Sequence, residues 1–424
     1  MSGRVHQPTC VLRMSLGQTT QTSIAASAAS SQTMPASPVV VLCLLATAHT
    51  LVDTFAGSTQ PLWPLLEQHL NVERGGLLWI FFGWMMATSV GQLLIAIWAD
   101  RRPSRWLIWW GPLLAVCFVS VVGWARTPEQ AMLALAIGGI GVAAFHPEAA
   151  ATAGAAFPNQ RSRAMAIFAL SGYFGQSIGP IYSGFMADWL GLKGLAWGLA
   201  WGLPILAVLC VCLRHAPAVE STVGTHAPAP PVSRTFPSAW LLSLLLLVGA
   251  LRLLPALGIP LALAYLLEGS QMSNALVGAV QSSFMAGIGL GAIVCAAVID
   301  RKRERTALWL FPLLAAPVLA CLGLTSGWPL VGMVSTCGVL LGITMPVYIS
   351  YGQQLLPNSQ RVASSITMGM SWGCGGAIVA VAMWYFTARE SLTSIFVFFA
   401  IASAASAVCC HFLPTPQPND TSSA

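Results

Sequence analysis

Five ionisable residues interrupt long apolar stretches of the sequence, and their types are those that exchange protons or bind anions. His49 and Asp53 lie four residues apart, which places both on one face of a helix. His146 and Glu148 flank a proline, and Arg252 stands alone among leucines. An imidazole titrates near neutral pH, and a guanidinium pairs with carboxylate and phosphate groups. The five side chains therefore indicate proton exchange and recognition of a small charged molecule.

Asp53 and Glu148 are the first candidates for proton binding, with His49 and His146 as relays or substrate contacts. Because His146 and Glu148 are two residues apart, one is expected to face a cavity and the other a neighbouring helix. Arg252 is interpreted either as the counter-charge of Asp53 in a static ion pair or as a ligand for an anionic group. The rival chemistry is an intramembrane metallohydrolase, because His49, Asp53, His146 and Glu148 are metal-ligand types that could approach one another in a bundle. Neither His-x3-Asp nor His-Pro-Glu is a specific zinc signature, so we expect no metal and no cofactor other than protons as the coupling ion.

The elements that hold these residues must be membrane helices. Of the 424 residues, 56% are hydrophobic and only 8% are charged, with a mean hydropathy of +0.74. Soluble domains carry roughly 25% charged residues, so a soluble globular protein and a disordered chain are both excluded. Continuous apolar runs exclude a β-barrel, in which polar and apolar residues alternate. The net charge of +6 comes from scattered single residues, and no nucleic-acid partner is expected.

Apolar runs separated by turns and charges predict an all-α polytopic membrane protein, with twelve transmembrane helices in two six-helix pseudo-symmetric halves. The halves cover 39–213 and 238–413, and a proline-rich cytoplasmic linker covers 214–237. Cytoplasmic tails cover 1–38, which is expected to be disordered, and 414–424; the alternative for the first tail is an organellar transit peptide. The predicted spans are 39–63, 77–99, 106–124, 131–153, 164–187, 193–213, 238–266, 274–299, 306–325, 329–352, 363–385 and 392–413.

Basic residues and an internal repeat support this topology. With twelve spans, most of the 19 Lys and Arg residues fall on the loops of one side, which predicts that both termini are cytoplasmic. Pro61 and Pro147 recur at a constant offset as Pro260 and Pro346. The same offset relates Asp53 to Arg252. Parallel six-span repeats place a substrate site between the halves, near the bilayer midplane.

Two equivalent loops carry an acid followed by a base, Asp100-Arg101 after span 2 and Asp300-Arg301 after span 8. Asp100 lies where span 2 meets water, so it is a candidate to cap a neighbouring helix or to pair with a loop arginine, holding one conformation closed. The alternative is that these charges only set the topology.

Span 5 contains small residues at spacings that let another helix approach closely, namely Gly175, Gly179, Pro180 and Gly184. Close helix packing is their expected role. Aromatic residues inside the spans are candidates for lining an apolar cavity, although packing and interfacial anchoring explain them equally well. They are Tyr173, Trp201, Tyr265, Tyr348 and Trp372.

Over residues 39–413 the sequence resembles the major facilitator superfamily. The loop after span 2 is similar to the family signature Gly-x3-Asp-Arg-x-Gly-Arg at Asp100 and Arg101, with departures at Ala96, Pro103 and Ser104. Span 5 is similar to the antiporter pattern Gly-x3-Gly-Pro-x2-Gly-Gly, with serine at 183 in place of one glycine. More narrowly, two segments resemble the fosmidomycin-resistance branch: His49-Thr50-Leu51-Val52-Asp53 followed by Pro61 and Pro64, and Phe145-His146-Pro147-Glu148-Ala149.

The resemblance implies a secondary active transporter of the bacterial inner membrane that exports a small drug-like or anionic compound by proton antiport. The alternative on the same fold is proton-coupled uptake of a small metabolite, and a passive channel or a sensor is the alternative from another class. The expected partners are a small-molecule substrate and the lipid bilayer. We expect a monomer, and we expect the protein not to be an enzyme.

Overall fold

The computed structural model describes residues 37–99, 104–157, 160–213, 238–268, 270, 272–300, 302–356, 363 and 365–415. Twelve long helices, numbered in chain order, account for most of these residues. They are α1 Pro38–Ser58, α2 Leu78–Ala99, α3 Leu107–Ser120, α4 Pro128–Ala156, α5 Arg161–Leu190, α6 Trp197–Leu213, α7 Ala239–Leu267, α8 Asn274–Val298, α9 Glu304–Leu322, α10 Gly327–Leu355, α11 Ser371–Ala388 and α12 Leu392–Cys410. A short helix, Trp63–His69, follows α1, and a π-helical turn, Ser365–Met370, precedes α11.

The prediction of an all-helical polytopic membrane protein is confirmed. Within the described ranges, eleven helices have the length and hydropathy needed to cross a membrane. The helix outside this set is α5, where glycine, serine and glutamine residues lower the hydropathy. The predicted linker 214–237 lies outside the described residues, as do 1–36 and 416–424.

Helices α1–α6 and α7–α12 form two halves that meet along two helix pairs. Helix α2 packs on α11, and α5 packs on α8. In the internal repeat α8 corresponds to α2 and α11 corresponds to α5, so the two pairs are equivalent. The interface between the halves therefore has the same pseudo-symmetry as the sequence.

The small residues of α5 lie at its closest helix contacts. A Cβ on Gly175 or Gly179 would collide with carbonyl oxygens of α1, and a Cβ on Gly184 would collide with the backbone of Asn274 at the start of α8. Pro180 presents its carbonyl oxygen to a glycine of α8. Small side chains thus allow α5 to pack tightly on a helix of each half.

Polar contacts join the two halves at the distal end of the bundle, defined as the end that carries the α1–α2 and α7–α8 loops. Arg74 forms an ion pair with Glu268 at 3.0 Å and donates a hydrogen bond to the carbonyl oxygen of Tyr265 at 2.7 Å. Gln68 donates to Glu268 at 3.0 Å, and the Tyr265 hydroxyl donates to buried Glu67 at 2.7 Å. These contacts hold the halves together at the distal end, and no pattern in the sequence predicted them.

A helix cap strengthens the same end. Asp188, near the end of α5, accepts hydrogen bonds from the backbone amides of Asn274 at 2.9 Å and Ala275 at 2.8 Å. A carboxylate at a helix N-terminus satisfies free amides and interacts favourably with the helix dipole. Because the cap crosses from one half to the other, it stabilises the conformation in which the distal ends are together.

Candidate functional site

A cavity of about 250 Å³ lies between the two halves. Helices α1, α2, α4 and α5 of the first half and α7, α8, α10 and α11 of the second contribute to its wall. Four of the five sequence candidates line it, namely His49, Asp53, His146 and Arg252. Tyr173, Tyr348 and Trp372 also line it, whereas Trp201 stacks on Phe55 within the first half and Tyr265 belongs to the distal contacts.

Asp53 stands between two imidazoles, and we call His49, Asp53 and His146 the His–Asp–His cluster. The distance from His49 Nε2 to Asp53 Oδ2 is 3.5 Å, and that from His146 Nε2 to Asp53 Oδ1 is 3.3 Å. The two Nε2 atoms are 3.1 Å apart. Gln176 of α5 donates to Asp53 Oδ2 at 3.0 Å and holds the carboxylate in place. The cluster is therefore a compact set of proton acceptors on one wall of the cavity.

Backbone carbonyls fix both imidazole rings. His49 Nδ1 lies 2.7 Å from the carbonyl oxygen of Phe168, and His146 Nδ1 lies 2.7 Å from that of Val142. A carbonyl oxygen only accepts, so each Nδ1 carries a hydrogen, and in a neutral ring Nε2 is then an acceptor. Two acceptor lone pairs and a carboxylate consequently face one another, and the arrangement is satisfied when a cation lies between them.

Arg252 is 1% exposed and bonds to the backbone rather than to Asp53. Its two terminal nitrogens each donate to the carbonyl oxygen of Thr344 at 2.8 Å, and its guanidinium lies 4.7 Å from the centroid of the Tyr348 ring. Among the described residues no ion pair joins Arg252 to Asp53, and the Nε atom of Arg252 has no hydrogen-bond partner. The static pair suggested by the sequence is therefore not formed: the Thr344 carbonyl holds Arg252, and Asp53 faces the two imidazoles and accepts a hydrogen bond from Gln176.

Glu148 lies away from the cluster. Its Oε2 accepts a hydrogen bond of 2.5 Å from the hydroxyl of Ser104, just before α3. His146 faces the cavity and Glu148 faces a neighbouring element, so the two residues point to different sides, as their spacing predicts. Proton binding by Glu148 stays a prediction from sequence, but this position contributes to the α2–α3 connection and not to the cavity wall.

The loop residues proposed as a gate are described only in part. Asp100, Arg101 and Arg301 lie outside the described residues. Asp300 accepts a hydrogen bond from the backbone amide of Arg303 at 3.0 Å and lies 3.9 Å from its side chain, which is a contact within one loop. A gate role for these loops stays a prediction.

Gln176 lines the cavity and was not among the candidates predicted from the sequence. It lies on α5, four residues after Gly172, and its amide reaches Asp53. A glutamine inside an apolar span is a usable signal, since an amide in lipid needs a partner. Gly172 is equally important, because a Cβ there would lie 2.6 Å from His49 Nε2 and 2.8 Å from Asp53 Oδ2.

The family follows from comparison with known proteins. A family model of the Major Facilitator Superfamily matches residues 45–378 and, in an overlapping match, 256–424. The chain belongs to the major facilitator superfamily. It is therefore a multi-pass membrane protein of a transporter family, and the resemblance read from the helix motifs is confirmed.

Two relatives in this superfamily align with most of the chain. The fosmidomycin resistance protein of Escherichia coli (strain K12) is 24% identical over 363 residues, covering 84% of this chain and 88% of the relative. The uncharacterized MFS-type transporter YfnC of Bacillus subtilis (strain 168) is 23% identical over 352 residues, covering 81% and 85%. The chain thus resembles the fosmidomycin-resistance branch, as its first and fourth helices indicated.

Solved structures show the same fold. A bacterial homolog of the human lysosomal transporter Spinster, in an inward-facing and unoccupied conformation, has a TM-score of 0.63 at 14% identity, covering 89% of this chain and 95% of that chain. A point mutant of the nucleoside transporter NupG has a TM-score of 0.66 at 13% identity, covering 88% and 100%. At these identities the likeness establishes the superfamily fold alone.

Proposed function

We propose that the protein is a proton-driven exporter of a small drug-like compound, in particular one with an anionic group, and that it works by alternating access. The observation that carries the proposal is the His–Asp–His cluster in the cavity between the halves. Its facing acceptors provide a place for one transferable proton. The similarity to a fosmidomycin resistance protein supports export as the direction.

The proton and the substrate would compete for the cluster. A proton held between the imidazoles and Asp53 satisfies the acceptors and removes the negative charge from this wall. When the proton leaves, the carboxylate and the two Nε2 atoms are free to accept hydrogen bonds from a substrate, while Arg252 binds an anionic group from the opposite half. Exchange of one ligand for the other on opposite sides of the membrane gives antiport.

The distal contacts provide the conformational part of the mechanism. They keep the halves together at one end in the present conformation, and access from that end requires that they break. The proposal places the protein in a bacterial inner membrane with both termini in the cytoplasm, so the distal end faces the periplasm. The structure would then represent the periplasm-closed conformation.

The test uses inside-out vesicles in which a pH gradient is imposed and followed by a pH-sensitive dye. Addition of fosmidomycin or another small amphiphile is expected to dissipate the gradient with the normal protein and not with Asp53→Asn. Glu148→Gln removes the other candidate carboxylate, which lies outside the cavity wall, and loss of the response in this variant as well would give Glu148 a part in the coupling. Uptake in right-side-out vesicles, with no response in inside-out vesicles, would contradict export and favour proton-coupled import. Flux without saturation or countertransport would favour a channel.

A further inference from the structure

The His–Asp–His cluster has the geometry of metal ligands as well as of proton acceptors. Taking one atom from each side chain, all three donor atoms lie within 4.8 Å of one another. The close contacts are 3.1 Å between the two Nε2 atoms, 3.3 Å from His146 to Asp53 and 3.5 Å from His49 to Asp53. Metal–ligand bonds of about 2.0 to 2.1 Å in a tetrahedral site separate neighbouring ligand atoms by about 3.3 to 3.4 Å. The Nε2–Nε2 contact and the contact of each ring with its nearest Asp53 oxygen, Oδ1 for His146 and Oδ2 for His49, are close to this separation.

The surroundings are those that metal-binding histidines require. Each ring donates its Nδ1 hydrogen to a backbone carbonyl at 2.7 Å, so that each Nε2 lone pair points into the cluster. Metal-ligating histidines nearly always have such a partner on the second nitrogen, because it fixes the ring orientation. Gln176 plays the corresponding part for the carboxylate at 3.0 Å.

We propose that His49, Asp53 and His146 bind a divalent transition-metal ion, which occupies the place of the coupling proton. Two imidazoles and a carboxylate match the borderline ions Zn²⁺, Co²⁺, Ni²⁺ and Fe²⁺ rather than Mg²⁺ or Ca²⁺, which prefer oxygen ligands. The side chain of His146 is 22% exposed in the cavity wall, so the cluster is open to the cavity, from which water could complete the coordination shell. Only the competition with a proton rests on the proposed function.

Metal and proton exclude each other at this site. The metal binds through the Nε2 lone pairs and the carboxylate, which are the same acceptors that hold the proton. A bound divalent ion also adds two positive charges to the wall, where the proton adds one. Occupation by metal is therefore expected to stop pH-driven transport without changing the fold.

Binding is measured with Co²⁺ on the full-length protein, purified in detergent without a polyhistidine tag. One Co²⁺ per chain with visible d–d absorption is expected, and one equivalent of Zn²⁺ is expected to bleach it. His49→Gln and His146→Gln are each expected to weaken binding at least tenfold, because each removes one of three ligands. His411→Gln is the matched control. His411 directly follows α12 and contacts the carbonyl oxygen of Ala407, so it is not part of the cluster. Absence of Co²⁺ binding by the normal protein, or equal binding by all variants, would overturn the proposal.

Zn²⁺ inhibition separates this inference from the proposed function. With pH-driven transport present, micromolar Zn²⁺ is expected to block it in the normal protein, and a normal protein that transports but binds no Co²⁺ would refute the metal site alone. If no compound is transported and Co²⁺ still binds through the cluster, the metal site stands and the proton-driven export is wrong. Size-exclusion profiles of the variants show whether loss of binding reflects loss of folding.

Discussion

Replacement of Gly172 by alanine tests whether the geometry of the His–Asp–His cluster matters for transport. An added Cβ would lie 2.6 Å from both Cε1 and Nε2 of His49 and 2.8 Å from Asp53 Oδ2. Ordinary non-bonded contacts are about 3.5 Å, so the His49 ring must move by about 0.9 Å. The hydrogen bond to the Phe168 carbonyl and the stacked Phe168 ring, with centroids 4.1 Å apart, oppose this movement.

Overpacking of this kind costs about 1 to 3 kcal/mol. If the crowding separates His49 from Asp53, the proton-occupied cluster is destabilised by this free energy. At about 1.4 kcal/mol per factor of ten, pH-driven transport is then expected to fall by about 5- to 150-fold. The assay is dye-detected dissipation of an imposed pH gradient in inside-out vesicles, normalised to the amount of protein in the membrane.

Gly83→Ala is the control for this prediction. Gly83 lies inside α2, and a Cβ there would meet nothing within 4 Å. Replacing glycine by alanine in a helix favours the helix by about 1 kcal/mol at both positions. The two variants therefore differ only in the steric crowding that the added Cβ causes. Equal transport by the two variants would refute the claim that the relative positions of His49 and Asp53 are needed.

Three further predictions concern residues outside that contact. Tyr265→Phe removes the hydroxyl that donates to buried Glu67, so it is expected to destabilise the distally closed conformation by about 1 to 3 kcal/mol. The measurement is labelling, from the distal side, of cysteines placed in the cavity, which is expected to become faster. Arg252→Lys keeps the charge but loses the planar fork, so the concentration of substrate at half-maximal transport is expected to rise at least tenfold. Glu148→Gln keeps an acceptor for Ser104, and transport is expected to stay within about threefold.

Each of these has a clear contradicting result. Unchanged labelling in Tyr265→Phe would mean that the distal contacts do not control access. An unchanged half-maximal concentration in Arg252→Lys would assign Arg252 to packing against Tyr348 instead of substrate recognition. Loss of pH-driven transport in Glu148→Gln, with normal amounts of protein in the membrane, would restore Glu148 as a proton-binding residue.

The fold was predictable because lipid imposes simple requirements. Long apolar runs have to be helices, and the repeated prolines reveal two related halves. The predicted bounds of α4, 131–153, differ from the observed Pro128–Ala156 by three residues at each end, because Pro128-Glu129-Gln130 and Gly154-Ala155-Ala156 continue the helix beyond the predicted apolar run. The grouping of His49 and Asp53 follows from their spacing on one helix.

Contacts between helices were not predictable in the same way. Rotation of α4 decides that His146 and not Glu148 joins Asp53, and a period of 3.6 residues does not fix that rotation. Asp53 and Arg252 occupy equivalent positions in the repeat, and both line the same cavity. Their hydrogen-bond partners, however, depend on which neighbouring backbone and side-chain groups lie within reach of each. The carbonyl of Thr344 satisfies Arg252, whereas the carbonyl that Pro346 deprives of its amide partner is that of Gly342, four residues earlier, so the proline does not point to the residue that Arg252 contacts.

The charges of the cavity decide which kind of coupling is possible. With neutral imidazoles the cluster carries the single negative charge of Asp53, and one bound proton cancels it, while Arg252 remains positive. An anion held only by Arg252 would then bind more tightly when the proton is present, because the opposing negative charge is gone. Such a substrate would travel with the proton, which is symport.

Antiport therefore requires that the substrate contacts the His–Asp–His cluster itself. A substrate that donates hydrogen bonds to Asp53 and to the Nε2 atoms displaces the proton, so the two ligands weaken each other by equal factors. Binding of the transported compound to the purified protein, measured at acidic and at alkaline pH, shows directly whether the proton weakens or strengthens substrate binding. Weaker binding at acidic pH that disappears in Asp53→Asn agrees with export by exchange. Tighter binding at acidic pH would show that Arg252 dominates recognition and that the proton and the substrate move in the same direction.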